Sequence, residues 1–139
     1  MTIKQTYDFL LSIKKLEAKI QNMMLQCEAL RSCLLPSGIR YDLDKIQTTA
    51  SDHMSDIEAR VLDMEKEILS MQQEKTQLIL DISEAINQLP ERAEQTVLIS
   101  YYVTRKPMEQ VADLAGYSLS HAYRIKRNAI KHLARMIER

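Results

Sequence analysis

The chain has 139 residues, 45% apolar, 27% charged and 5% aromatic, with two Gly, three Pro, eight Met and no Trp. That length suits one or two small domains rather than a large enzyme. So little Gly and Pro excludes a turn-rich all-β chain and Gly-rich phosphate loops, and points to an all-α protein with coiled-coil content. There is no uncharged apolar run of 18 residues and no basic start leading into an apolar stretch, so neither a membrane span nor a secretory signal is expected. Cys27 and Cys33 cannot build a disulfide framework, and their spacing fits no common zinc pattern. Two reduced thiols in a cytoplasmic protein are the expectation.

Zero net charge conceals a division at Pro90. Residues 1–90 hold 10 Lys+Arg against 14 Asp+Glu, whereas residues 91–139 hold 9 against 5. Between Leu114 and Ile137 no carboxylate occurs, while Arg124, Lys126, Arg127, Lys131 and Arg135 all do. Such asymmetry is expected of a chain that meets nucleic acid with its C-terminal part, although a solvated helix face would look the same.

The first apolar series is Ile3, Tyr7, Leu10, Ile13, Leu16, Ile20, Met23, Cys27, Leu30 and Leu34, every step three or four residues. One helical stripe holds all ten. Pro36, Ser37 and Gly38 stop that helix. A second series runs Met54, Ile57, Val61, Met64, Ile68, Met71, Lys75, Leu78, Ile82, Ala85 and Leu89, a heptad pattern with Lys75 as its polar member. Two stripes of this length predict an antiparallel coiled-coil hairpin over residues 1–88, with a disordered connection at about 35–51 and Ser51 or Asp52 capping the second helix. The hairpin also offers a surface for forming a homo-oligomer, as in a four-helix bundle.

Residues 89–139 form the second expected domain. Val97, Leu98, Tyr101 and Tyr102 give a short helix a buried face, and Thr104-Arg105-Lys106-Pro107 turns into the next, with Pro107 at its first position. Val111, Ala112, Leu114 and Ala115 supply apolar contacts before Gly116, which suits a left-handed helix end. Ser118 is placed to cap a last helix of about Leu119 to Ile137, with Ala122, Ile125, Ala129, Leu133 and Met136 facing inward. A short helix, a tight turn and a longer basic helix are the order of a helix-turn-helix. In that motif the second helix enters the major groove of double-stranded DNA. Its outer face carries Ser120, Tyr123, Arg124, Arg127 and Lys131. Arg124 and Arg127 can each offer two donors to a guanine edge. Lys126, Lys131, Arg105 and Lys106 are placed as phosphate contacts, which position the duplex without reading it.

Leu89-Pro90-Glu91-Arg92, Val97-Leu98, Met108 to Ala112, Gly116-Tyr117-Ser118, Ile125 and Ala129 to Leu133 together resemble region 4 of bacterial sigma-70 factors. The match spans about a third of the chain, with one extra residue between Pro90 and the first helix. The layout of coiled coil plus sigma-like domain, and the Lys45 to Ala50 stretch, are similar to small phage-encoded regulators of Gram-positive bacteria. The resemblance implies a transcriptional regulator. Its base-reading positions fall on Leu119, Ser120, Tyr123 and Arg124, with His121 and Arg127 beside them, and RNA polymerase would be a second partner. Region 4 usually starts its recognition helix with charged residues, where this chain has Leu119 and Ser120. Nothing resembles the aromatic-rich region 2, so the implied module does not open promoters alone.

An assembly or DNA-packaging protein of a phage, using coiled coil and C-terminal helices for protein contacts, is the alternative. No catalytic role is expected, for there is no HExxH, no phosphate loop and no interpretable nucleophile–base pair. His53, His121 and His132 lie far apart in sequence, and no metal or cofactor is expected.

Overall fold

The computed structural model describes the backbone of residues 1–34 and 43–137, and the side chains of 1–34 and 53–137. All the regular structure among them is helical: α1 Ile3–Leu34, α2 Leu43–Asn87, α3 Arg92–Leu98, a π-helical continuation Ile99–Val103, α4 Met108–Ala115 and α5 Leu119–Ile137. The fold is all-α, with two long antiparallel helices followed by a small group of short ones.

α1 opens on a capping box. Gln5 N–H donates to Thr2 Oγ1 at 3.1 Å and Thr2 N–H to Gln5 Oε1 at 3.0 Å, satisfying two donors of the first turn reciprocally. Ile3, expected on the buried stripe, stands 48% exposed, and Thr6 is buried in its place with its hydroxyl on Thr2 O at 2.9 Å. α2 starts earlier than expected. Of the expected connection at about 35–51, residues 35–42 lie outside those described, and from Leu43 the backbone is helical, so Ser51 and Asp52 lie inside α2 rather than at its start. Leu43, Ile46, Ala50 and Met54 continue the three-and-four spacing, and no Gly or Pro interrupts it.

Contacts divide the chain otherwise than at residue 88. One compact unit comprises Met1–Leu16 with Lys75–Arg139, the other Glu17–Glu74. In the second unit, Ile20, Cys27 and Val61 are buried, and Arg31 of α1 pairs with Glu65 of α2. Met24 and Cys27 face Ile68, Leu69 and Gln72 across a shallow groove. Both thiols are free, Cys27 buried and Cys33 exposed.

The first unit is held by one cluster drawn from four elements. Leu10 and Ile13 of α1, Ile82 and Ile86 of α2, Leu98 and Tyr102 of the third helix, and Ala129, Ile130 and Leu133 of α5 pack together with Leu89. Each fully buried Leu or Ile contributes about 1.5–3 kcal/mol by leaving water. At the seam's end Ile86 is fully buried while Ala85 stays half-exposed, so the larger side chain takes the inner place. Gln95 Nε2 donates to Leu89 O at 2.6 Å and Asn87 O at 3.2 Å, giving partners to carbonyls that the end of α2 leaves open.

Candidate nucleic-acid interface

A second, smaller cluster positions α4 against α5. Val97, Met108, Val111, Ala112 and Ala122 are all buried there. Ala112 and Ala122 lack bulk, so the two helices approach closely where they meet. The entry into α4 begins with the π-helix, where Thr104 N–H reaches Ile99 O at 3.0 Å and Lys106 N–H reaches Ser100 O at 2.9 Å. Arg105 then adopts a left-handed backbone, φ 57°, to turn the chain. Pro107 corrects the expected placement by one residue. Its ψ of 153° is extended, so it caps α4 from outside rather than forming its first helical residue, and its carbonyl accepts the Val111 N–H at 3.0 Å.

α4 ends as its residues dictate. Gly116 has φ 79°, Tyr117 N–H donates back to Ala112 O at 3.0 Å, and Gly116 N–H to Asp113 O at 3.2 Å. This double return is the Schellman arrangement, which needs a left-handed residue at its centre. Two residues later Ser118 starts α5, its Oγ accepting the His121 N–H at 3.3 Å and its carbonyl the Ala122 N–H at 2.9 Å. The Ser118 hydroxyl thus serves the helix start.

At about 100° per residue, Ser120, Tyr123, Arg124, Arg127 and Lys131 share the face of α5 opposite Ala122, Ala129 and Leu133. All five are exposed, while those three alanine and leucine side chains are wholly buried. Leu119 is 41% exposed and Tyr123 40%, and next to them Leu114 and Tyr117 also stand open. The start of α5 therefore presents apolar and aromatic surface, and cationic surface follows along the helix. His121 leans on Tyr117, ring centroids 4.7 Å apart.

Lys126 is set apart from the other cations. Its Nζ lies 4.3 Å from the centre of the Tyr101 ring, with Tyr102 and Tyr123 at 5.7 and 5.8 Å. Tyr101 and Tyr102 themselves meet edge to face at 4.8 Å. Partial burial, and next the charge of Arg127, hold the Lys126 ammonium below its ordinary pKa. Burial also pushes the Tyr102 phenol up, and its hydroxyl has no hydrogen-bond partner among the described residues. Lys126 packs, therefore, where Arg124, Arg127 and Lys131 reach outward. Arg105 is exposed and Lys106 half-buried at the turn before α4.

One polar contact was not legible beforehand. Glu94 of α3 is 3% exposed, and its Oε1 lies 2.7 Å from Nδ1 of His132 on α5. The residues are 38 apart in sequence. An acidic residue in the first turn of a short helix reads as a solvated charge, and nothing local announces its burial.

No group of three or more His, Cys, Asp or Glu among the described residues is placed to hold a metal ion, and no described helix is long and apolar enough to cross a membrane. No curated protein and no solved structure matches the chain. A family model does, over residues 34–134, which include the whole of α2, α3 and α4 and α5 as far as Ala134. By that match the chain belongs to the family described as Protein of unknown function (DUF1492).

Proposed function

We propose that this chain is a sequence-specific double-stranded DNA-binding transcriptional regulator that acts in the cytoplasm with a sigma region 4-like helix-turn-helix. One observation carries the reading: Arg124, Arg127 and Lys131 stand exposed along one face of α5, in a stretch from Leu114 to Ile137 without a carboxylate. α4 crosses behind that helix through Ala112 and Ala122, leaving the face clear to enter a major groove. Leu119, Ser120, Tyr123, Arg124 and Arg127 read base edges; Lys131, Arg105 and Lys106 hold phosphates. Lys126, engaged with Tyr101, supports the fold of the interface more than it touches DNA. The long helices serve self-association and contact with partners such as RNA polymerase.

Selection of bound sequences from a random DNA pool by the full-length protein tests this. An enriched motif is expected, and its half-site spacing gives the symmetry of the bound form. Affinity for the selected site should fall steeply with salt as Lys and Arg displace counterions from phosphates. Absence of any retarded complex even at about 50 mM salt would refute the reading.

A further inference from the structure

Four large hydrophobic side chains stand exposed within a short stretch, Leu114, Tyr117, Leu119 and Tyr123. A cluster of that kind on a surface marks a contact. Leu119 and Tyr123 belong to the start of α5, 41% and 40% exposed. Four residues apart, they are neighbours on the helix surface, about 6 Å apart along its axis. Ser120 and Arg124 form the adjoining row and are exposed as well. The Ser118 hydroxyl accepts the His121 N–H, and the His121 ring leans on Tyr117, so both are engaged within the protein. The beginning of α5 therefore offers an outside occupant one apolar row and one polar row.

Whatever covers the apolar row also meets the cations that follow it. Arg124, Arg127 and Lys131 are exposed along the same helix, and no carboxylate occurs from Leu114 to Ile137. Charge complementarity selects a polyanion. In the major groove of duplex DNA one kind of base-edge group is apolar, the C5-methyl of thymine, whereas guanine, adenine and cytosine present hydrogen-bond donors and acceptors. A helix-turn-helix brings the N-terminal residues of its second helix to those edges. We infer that Leu119 and Tyr123 recognise thymine C5-methyl groups, so that the bound site carries A·T pairs beside the pair read by Arg124. This specificity rests on the DNA-binding reading above and adds to it the chemical group that the apolar start of α5 selects.

The test uses the full-length protein and the duplex selected from the random pool. Each thymine of that duplex is replaced in turn by uracil, which keeps the pairing with adenine and the O4 acceptor and removes only the methyl. At the positions met by Leu119 and Tyr123, the wild type should lose about fourfold in affinity per methyl, the effect of uncovering one buried carbon group. Leu119→Ala should no longer respond to uracil at one of these positions, and Tyr123→Ala at the other. Lys131→Ala, weaker on every duplex, should keep both responses, since it shares no contact with either methyl. Both replaced apolar side chains are exposed, so the two variants should melt at the wild-type Tm, which circular dichroism checks. The inference is overturned if the wild type binds every uracil duplex as tightly as the thymine duplex, or if both alanine variants respond to uracil as the wild type does. Either result leaves DNA binding itself standing. Enrichment of no duplex at all from the pool overturns the DNA-binding reading and this inference together.

Discussion

Glu94 and His132 join α3 to α5 through a 2.7 Å contact between a carboxylate oxygen and an imidazole nitrogen. The carboxylate is almost wholly buried, its second oxygen has no partner among the described residues, and the imidazole remains half open to water. The pair therefore ties α3 to the flank of the helix that carries the basic face.

Removing the imidazole leaves the carboxylate buried without any partner. His132→Ala should lower stability by about 1–3 kcal/mol in urea unfolding, the range for stranding a buried acceptor. Glu94→Gln keeps an oxygen for Nδ1 and removes the buried charge, so its loss should be smaller. A His132→Ala variant as stable as the wild type would show that the contact contributes nothing.

Gly116→Ala isolates a backbone effect. A Cβ there meets nothing within 4 Å, so crowding is absent and only the left-handed φ of 79° opposes the substitution. The expected loss is about 1–2 kcal/mol, seen as a lower Tm by circular dichroism. Gly116→Asn should lose less, since Asn visits this conformation more readily.

Reading and positioning residues separate on a panel of DNA sequences. Arg124→Ala should cost about 1–3 kcal/mol at a single base pair and relax preference there, whereas Lys131→Ala should weaken all sequences about equally. Quantitative gel shifts against the selected site and its single-base variants distinguish the two. Identical profiles would mean that the base-reading assignment is wrong.

Lys126 gives a pH signature. Its pKa is lowered in the folded protein, so the unfolded chain binds more protons as pH approaches the ordinary lysine value of 10.5. The destabilising cost of burying the ammonium is present at neutral pH and fades as pH rises through the folded pKa. The difference in stability between wild type and Lys126→Met should therefore move in favour of the wild type from neutral pH towards 10.5. Tyr102, whose raised pKa acts in the opposite direction, is common to both proteins and cancels. Urea unfolding across that range checks the sign.

The C-terminal helices should not fold by themselves. Residues 89–139 alone lose Leu10, Ile13, Ile82 and Ile86, which fill the cluster under Leu98, Ile130 and Leu133. Far-ultraviolet circular dichroism of that fragment should show weak helicity and no cooperative melt. A sharp transition in the fragment would contradict the shared core.

Much of this arrangement was legible because its signals are local. Three-and-four spacing located both long helices, Gly116 and Ser118 marked the end of α4 and start of α5, and the exposed positions of α5 followed from its period. Misses came where local signals are silent or were under-read. The start of α2 was placed too late although Leu43, Ile46 and Ala50 already carried the spacing. That the Tyr101 ring lies beneath Lys126 is likewise not written in the local sequence. The burial of Glu94 depends on a contact with a residue 38 positions away. The division at residue 88 followed charge and Pro90, whereas the core recruits whichever apolar side chains topology brings together.

The cluster that joins Leu10 to Leu133 has a bearing on how the protein is made. Leu10 leaves the ribosome long before its partner Leu133 is synthesised. Until α5 emerges, the apolar end of the hairpin stays uncovered, and completion of the fold waits on a long-range closure that is slow in its entropy. A nascent chain stalled before residue 129 would expose that surface to chaperones and to other chains.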